Sequence, residues 1–158
     1  MIKLQNPYAS FPGYSCFGCS PTNPSGLHME FFKEGDELVC RWDPNEHFQG
    51  FHDILHGGVQ ATMMDEIASW VVFVLLETAG VTYQLQTKYR KPVRISKGAI
   101  TLRAKLARQQ KKVATIEVVL LDGEGVACSE GVVDYFILTP EKAEKEMHFP
   151  GKEAFYNK

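Results

Sequence analysis

Apolar and polar positions alternate over two stretches late in the chain. Ile100, Leu102, Ala104 and Leu106 alternate with Thr101, Arg103 and Lys105, and Ala114, Ile116, Val118 and Leu120 repeat the pattern. A period of two is that of a strand with one buried face. Asp122-Gly-Glu-Gly125 then reads as a hairpin turn into a further strand over 126–138. Ahead of these come apolar-rich runs at 81–89, 27–32 and 37–42, the last two joined by the glycine-containing turn Lys33-Glu-Gly-Asp36. One run behaves differently. Gly57-Gly58 opens a helical segment, 59 to about 78 and ended by Gly80, that is apolar on nearly every face after Glu66. A surface helix carries one apolar stripe, so a helix apolar all round has to be enclosed by other structure.

Short turns between consecutive strands imply antiparallel pairing, because parallel neighbours need long crossovers. The expectation is an α+β fold in which a curved antiparallel sheet of about six strands wraps one long buried helix. Residues 1–26 hold Asn6-Pro7, Pro12-Gly13, Pro21, Asn23-Pro24 and Gly26, a density of breakers that predicts an irregular arm. The tail, 140–158, is charged and predicts a short surface helix plus coil.

Composition narrows the class. A chain of 158 residues, 44% apolar and 23% charged, suits one domain with its own core and not a disordered polymer. Its 17 basic and 19 acidic side chains give a net charge of −2, without the basic excess of a nucleic-acid binder. The longest apolar stretch, 67–76, has about half the roughly 20 residues of a membrane span, so none is expected. The first residues lack the apolar core of a secretory signal, which points to the cytoplasm and to reduced thiols at Cys16, Cys19, Cys40 and Cys128.

Metal chemistry is not expected. His47, His52 and His56 could ligate zinc with Asp53, but Gly50 and Gly57 interrupt any helix that would align them, and no spacing enforces three convergent ligands. Cys16-x-x-Cys19 has no second pair and no Cys/His pair at finger spacing, so it reads as a feature that shapes the arm. No cofactor is implied.

The candidate chemistry lies between His47 and Glu66. His56-Gly57-Gly58 stands at the helix mouth, where backbone N–H groups lack intrahelical acceptors. Glycines there admit another molecule close to the backbone, and the helix dipole favours developing negative charge. That is the specification of an oxyanion hole, although many glycine-rich helix starts have no such role. Asp65 follows in an otherwise apolar helix, beside Glu66. A carboxylate there needs a partner, a shifted pKa or a wet helix face. Neighbouring helical residues point ~100° apart, so only one of the two acids can face a given site.

His56-Gly57-Gly58 followed by Asp65, on a helix enclosed by antiparallel strands, resembles the hotdog-fold acyl-CoA thioesterases. The likeness is greatest to the subgroup joining phenylacetate-pathway thioesterases and thioesterase-superfamily-member proteins. Cys16-Phe-Gly-Cys-Ser-Pro-Thr-Asn-Pro-Ser-Gly-Leu27 resembles an N-terminal element of that subgroup, and Tyr89-Arg-Lys-Pro-Val93 the strand end that follows the helix. The resemblance spans roughly residues 16–138. It implies that Asp65 is general base or nucleophile, that the Gly57 N–H polarises the thioester carbonyl, and that His56 shapes the turn and bonds substrate. It also implies hydroxyl roles for Ser69 and Thr82. Where the family often has Asn or Gln six residues before the His, this chain has Gly50, with Gln49 beside it to supply the amide if the loop shifts by one.

The substrate so implied is acyl-CoA, with Gly58 lining its approach and Arg90, Lys91 and Lys111 near its phosphates; charge guarding a sheet edge explains those basic residues equally well. A non-catalytic acyl-CoA-binding or sensing module would keep the same tunnel without needing a base. Gly57 and Asp65 are eight residues apart, so ~12 Å separates them along one straight helix. They cannot serve one carbonyl within one chain. Two copies with antiparallel helices can bring them together, and the resemblance implies such a dimer or a tetramer of two dimers.

Overall fold

The alternating runs form the strands they predict. In a computed structural model, which describes residues 1–157, β1 (Ile2–Lys3), β2 (Phe31–Glu34), β3 (Glu37–Trp42), β4 (Gly80–Tyr89), β5 (Ile100–Gln110), β6 (Val113–Leu121) and β7 (Ala127–Ile137) build one sheet. Its order is β1-β2-β3-β5-β6-β7-β4, antiparallel throughout. Ile100, Leu102, Ala104, Ala114, Ile116 and Leu120 are buried on one face, as their spacing requires. Between β3 and β4 the chain forms α1 (Gly57–Leu75), and β3 through β7 pack around it. At 19 residues and a mean hydropathy of 1.2, α1 has the length and composition of a membrane span. Met63, Met64, Ile67, Ala68, Val71 and Val72 are nevertheless fully enclosed by the fold. This is the enclosed core helix that its all-round apolarity predicts.

The sheet has seven strands, not about six, because the arm supplies β1. Ile2 and Lys3 pair with Lys33 and Phe32, and Leu4 bridges to Tyr156. Of the run 27–32, only the end is a paired strand. Leu27 and Met29 are buried in alternation, but their N–H groups bond to Phe17 and Gly18 in the arm, and His28 sits at φ +53°. The tail holds α2 (Pro140–Met147), capped by Thr139. It is more than a surface coil: Phe149 and Phe155 are buried, and Phe155 stacks on Phe73 and edges Trp70.

β4 forms the open edge. Its neighbour is β7, and seven of its ten residues are exposed, with Val81 at 48%, Tyr83 at 68% and Tyr89 at 50%. Long edge strands with apolar side chains on show are pairing templates. The β6–β7 turn touches the loop before β5 very closely. A Cβ on Gly123 would stand 1.9 Å from the carbonyl oxygen of Lys97, backbone that cannot swing aside. Gly123→Ala is therefore expected to cost about 1–3 kcal/mol, the range for forced overpacking. Thermal melts read this as a Tm several degrees lower; an unchanged Tm would refute the packing argument.

Candidate active site

His56 caps α1. Its Nδ1 accepts the Gly58 N–H at 2.9 Å, which fixes the neutral ring with its proton on Nε2. The Gly57 N–H, first in the helix, has no acceptor among the described residues. Tyr89 closes this mouth from the strand side. Its hydroxyl donates to the Gly57 carbonyl at 2.6 Å, and a Cβ on Gly57 would meet the Tyr89 ring at 3.4 Å. Glycine thus keeps the helix mouth open between the His56 ring and the Tyr89 ring.

Two turns on, Asp65 is half-buried and points toward β4 and β7. Its Oδ1 accepts from Thr82 Oγ at 2.8 Å and from the Tyr135 hydroxyl at 2.9 Å, and the same hydroxyl lies 2.9 Å from the Asp65 carbonyl. Burial, and next the Asp65 charge, push the Tyr135 phenol well above its usual pKa, so it stays a donor. Glu66 turns the other way, into the arm, where Cys16 Sγ lies 3.5 Å from its Oε1. Desolvation, then the neighbouring Cys16, push its carboxyl up to about 7. The two adjacent acids thus face different environments, as the ~100° helical step requires.

Among the residues expected from the sequence, Thr82 joins Asp65 and His56 joins Gly57 and Gly58. Ser69 does not join them: its Oγ donates to the Glu66 carbonyl, and its side chain lines a cavity of about 520 Å³ under the arm. Gln49 is engaged in its own loop, where Oε1 accepts the Asp53 N–H at 3.0 Å. Gly50, not Gln49, backs onto the His56 ring, 3.5 Å from where a Cβ would be. The basic residues separate. Arg90 leaves the far end of β4 paired with Glu130 at 2.6 Å, with Lys91 exposed beside it. Lys111 is in the β5–β6 turn, flanking the start of β4. Tyr135 and the placement of Tyr89 over the helix mouth escaped the sequence reading. The available signal was a tyrosine in the inward phase of β7, since a buried phenol needs a polar partner.

The arrangement offers a carboxylate held by two hydroxyls and, one helix end away, an unpaired N–H at a positive dipole end. Residues 52–129 match the thioesterase superfamily. An inferred esterase of Thermoplasma acidophilum is 28% identical over 112 residues, covering 70% of this chain and 83% of that protein. A thioesterase of Haemophilus influenzae superposes with a TM-score of 0.68 at 20% identity, over 77% of this chain and 85% of its own. A hypothetical thioesterase of Streptococcus pneumoniae, solved with coenzyme A, superposes with a TM-score of 0.64 at 22% identity, over 71% of this chain and 87% of its own. Residues 52–129 thus carry the thioesterase-superfamily match, and the chain has the hotdog fold of these thioesterases.

Proposed function

We propose that the protein hydrolyses acyl-CoA thioesters in a dimer whose two sites each combine Gly57 of one chain with Asp65 of the other. The observation that carries this reading is the Asp65 carboxylate, oriented by Thr82 and Tyr135 beside the exposed edge strand. With Oδ1 held, Oδ2 is free to take a proton from water, or to attack the carbonyl carbon itself. The Gly57 N–H stabilises the oxygen of the tetrahedral intermediate, helped by the helix dipole. Collapse of that intermediate breaks the C–S bond, and CoA leaves as thiolate, which takes up a proton. With Asp65 as base, that proton is the one taken from water and the free acid forms directly. With Asp65 as nucleophile, an acyl–Asp65 anhydride remains, which water hydrolyses to the free acid.

The exposed β4 edge supports the same reading, since two such edges can pair about a two-fold axis. Within one chain, Arg90 and Lys91 lie at one end of β4 and Lys111 at the other. An antiparallel partner brings opposite ends together, so the basic residues cluster around one CoA phosphate region per site. His56 Nε2–H and the open backbone at Gly58 then face the approaching thioester. A second reading, acyl-CoA binding without turnover, draws on Gly50 standing where an amide would position water, with Gln49 Oε1 already occupied.

A thiol-release assay against a panel of acyl-CoAs separates the two. Hydrolysis predicts CoA thiol appearing in proportion to enzyme for at least one acyl class. Saturable binding with no thiol released would assign the protein to the binding class instead.

A further inference from the structure

Three side chains that hydrolysis does not use converge between the arm and α1. Cys16 Sγ lies 3.5 and 3.6 Å from the two Glu66 carboxylate oxygens, and donor atoms of Cys16, Cys19 and Glu66 all fall within 4.8 Å of one another. Spacing along the chain argued against a metal here, because Cys16-x-x-Cys19 lacks a nearby partner. The fold brings that partner from 50 residues away.

The distances match an ion. A tetrahedral zinc with bonds of ~2.3 Å to sulfur and ~2.0 Å to carboxylate oxygen holds those two atoms ~3.5 Å apart. Cys19 Sγ is also surrounded by donors. The Tyr14 hydroxyl lies 3.0 Å from Cys19 Sγ and Asn6 Nδ2 lies 3.5 Å from it. Asn6 also donates to the Tyr14 oxygen at 3.0 Å, which leaves the phenol proton for the sulfur. Outer donors of this kind orient and stabilise metal-bound thiolates.

Two further features favour a cation. Glu66 has no ion-pair partner among the described residues. Gly18 is necessary for the approach: a Cβ there would stand 2.5 Å from Glu66 Cγ and Cδ. Any side chain at that position would push the cysteine turn off the carboxylate.

We propose that Cys16, Cys19 and Glu66 bind a soft divalent cation of the zinc class, through two thiolates and one carboxylate oxygen. Each thiol gives up its proton to solvent as its sulfur–metal bond forms, with no change of oxidation state. The fourth position opens toward the cavity lined by Tyr8, Tyr14 and Trp70. The ion ties the arm to the helical turn next to Asp65.

The test uses the full chain, reduced and freed of metal with a chelator, then titrated with Co²⁺ and afterwards Zn²⁺. One ion per chain is expected, with a thiolate-to-cobalt charge-transfer band that zinc abolishes and a Tm that zinc raises. Glu66→Gln should bind at least about tenfold more weakly, because losing even an outer partner of a ligand costs 10–100-fold. Cys16→Ser with Cys19→Ser should lose the band; if that variant does not fold, the wild-type titration and Glu66→Gln still decide. No band on the reduced wild-type chain overturns the proposal, as does unchanged affinity in Glu66→Gln. A Cys16–Cys19 disulfide forming in air, on a chain that takes no cobalt when reduced, would overturn it in favour of a redox pair. None of these readouts depends on thioester hydrolysis.

Discussion

An Asp65→Asn chain is expected to fold as the wild type does and, on the proposed mechanism, to hydrolyse acyl-CoA roughly 10²-fold more slowly or worse, the low end for losing a general base or nucleophile. The fold survives because asparagine is isosteric and its oxygen still accepts from Thr82 and Tyr135, the two hydroxyls that hold Oδ1. Asp65 is also only half-buried, so removing its charge leaves no large desolvation imbalance. What is lost is the oxygen that takes the proton or attacks the carbon. Acyl-CoA affinity should stay near wild type, since the carboxylate acts on the reacting centre and not on the CoA moiety. The measurement is thiol release under saturating substrate, with a thermal melt as the check on folding. Wild-type turnover in a folded Asp65→Asn chain would remove Asp65 from the chemistry altogether.

The elements that were readable in the sequence are those whose side chains repeat with a period. β5, β6 and the enclosed helix follow from spacing alone, because burial on one face or on all faces leaves its mark on every residue. β1 left no such mark: two residues joined the sheet through backbone pairing with Phe32 and Lys33, which any side chain permits. The run 27–32 shows the converse. Leu27 and Met29 alternate with exposed neighbours as in a strand, yet positive φ at His28 turns the backbone toward the arm and away from the sheet.

At the site, the linear signal ended at the helix. His56, Gly57 and Asp65 stand out because glycine and carboxylate are unexpected on an apolar helix. Tyr135 and Glu66 gained their surroundings only through contacts spanning 70 and 50 residues, and no local spacing encodes those. The same limit explains Gln49 and Ser69. Both carry suitable groups at suitable positions along the chain, but the turn at Asp53 and the helix's own carbonyl at Glu66 claim them.

Mixing two inactive chains restores activity if the site is shared. Gly57→Leu places a side chain where the Tyr89 ring closes the helix mouth, 3.4 Å from a Cβ there, and blocks access to the Gly57 N–H. Asp65→Asn removes the base. Each variant alone forms dimers in which both sites are defective. A heterodimer has one site with both defects and one with neither, because Gly57 of the Asp65→Asn chain meets Asp65 of the Gly57→Leu chain. Free exchange at equal amounts makes half of all dimers heterodimers, so about a quarter of the wild-type rate returns. A site contained within one chain predicts no recovery at all, since every chain then carries a defect. The single-chain alternative also has to overcome the ~12 Å along α1 between the two groups, which no side chain of aspartate can bridge. Subunit exchange is verified by co-purification of differently tagged chains, so that absent recovery despite mixed dimers counts against the shared site. Full activity in a demonstrably monomeric preparation would sink it as well. The exposed residues of β4 make the complementary forecast: they are the surface that disappears on pairing, so amide hydrogen exchange in 80–89 should slow only when dimers form.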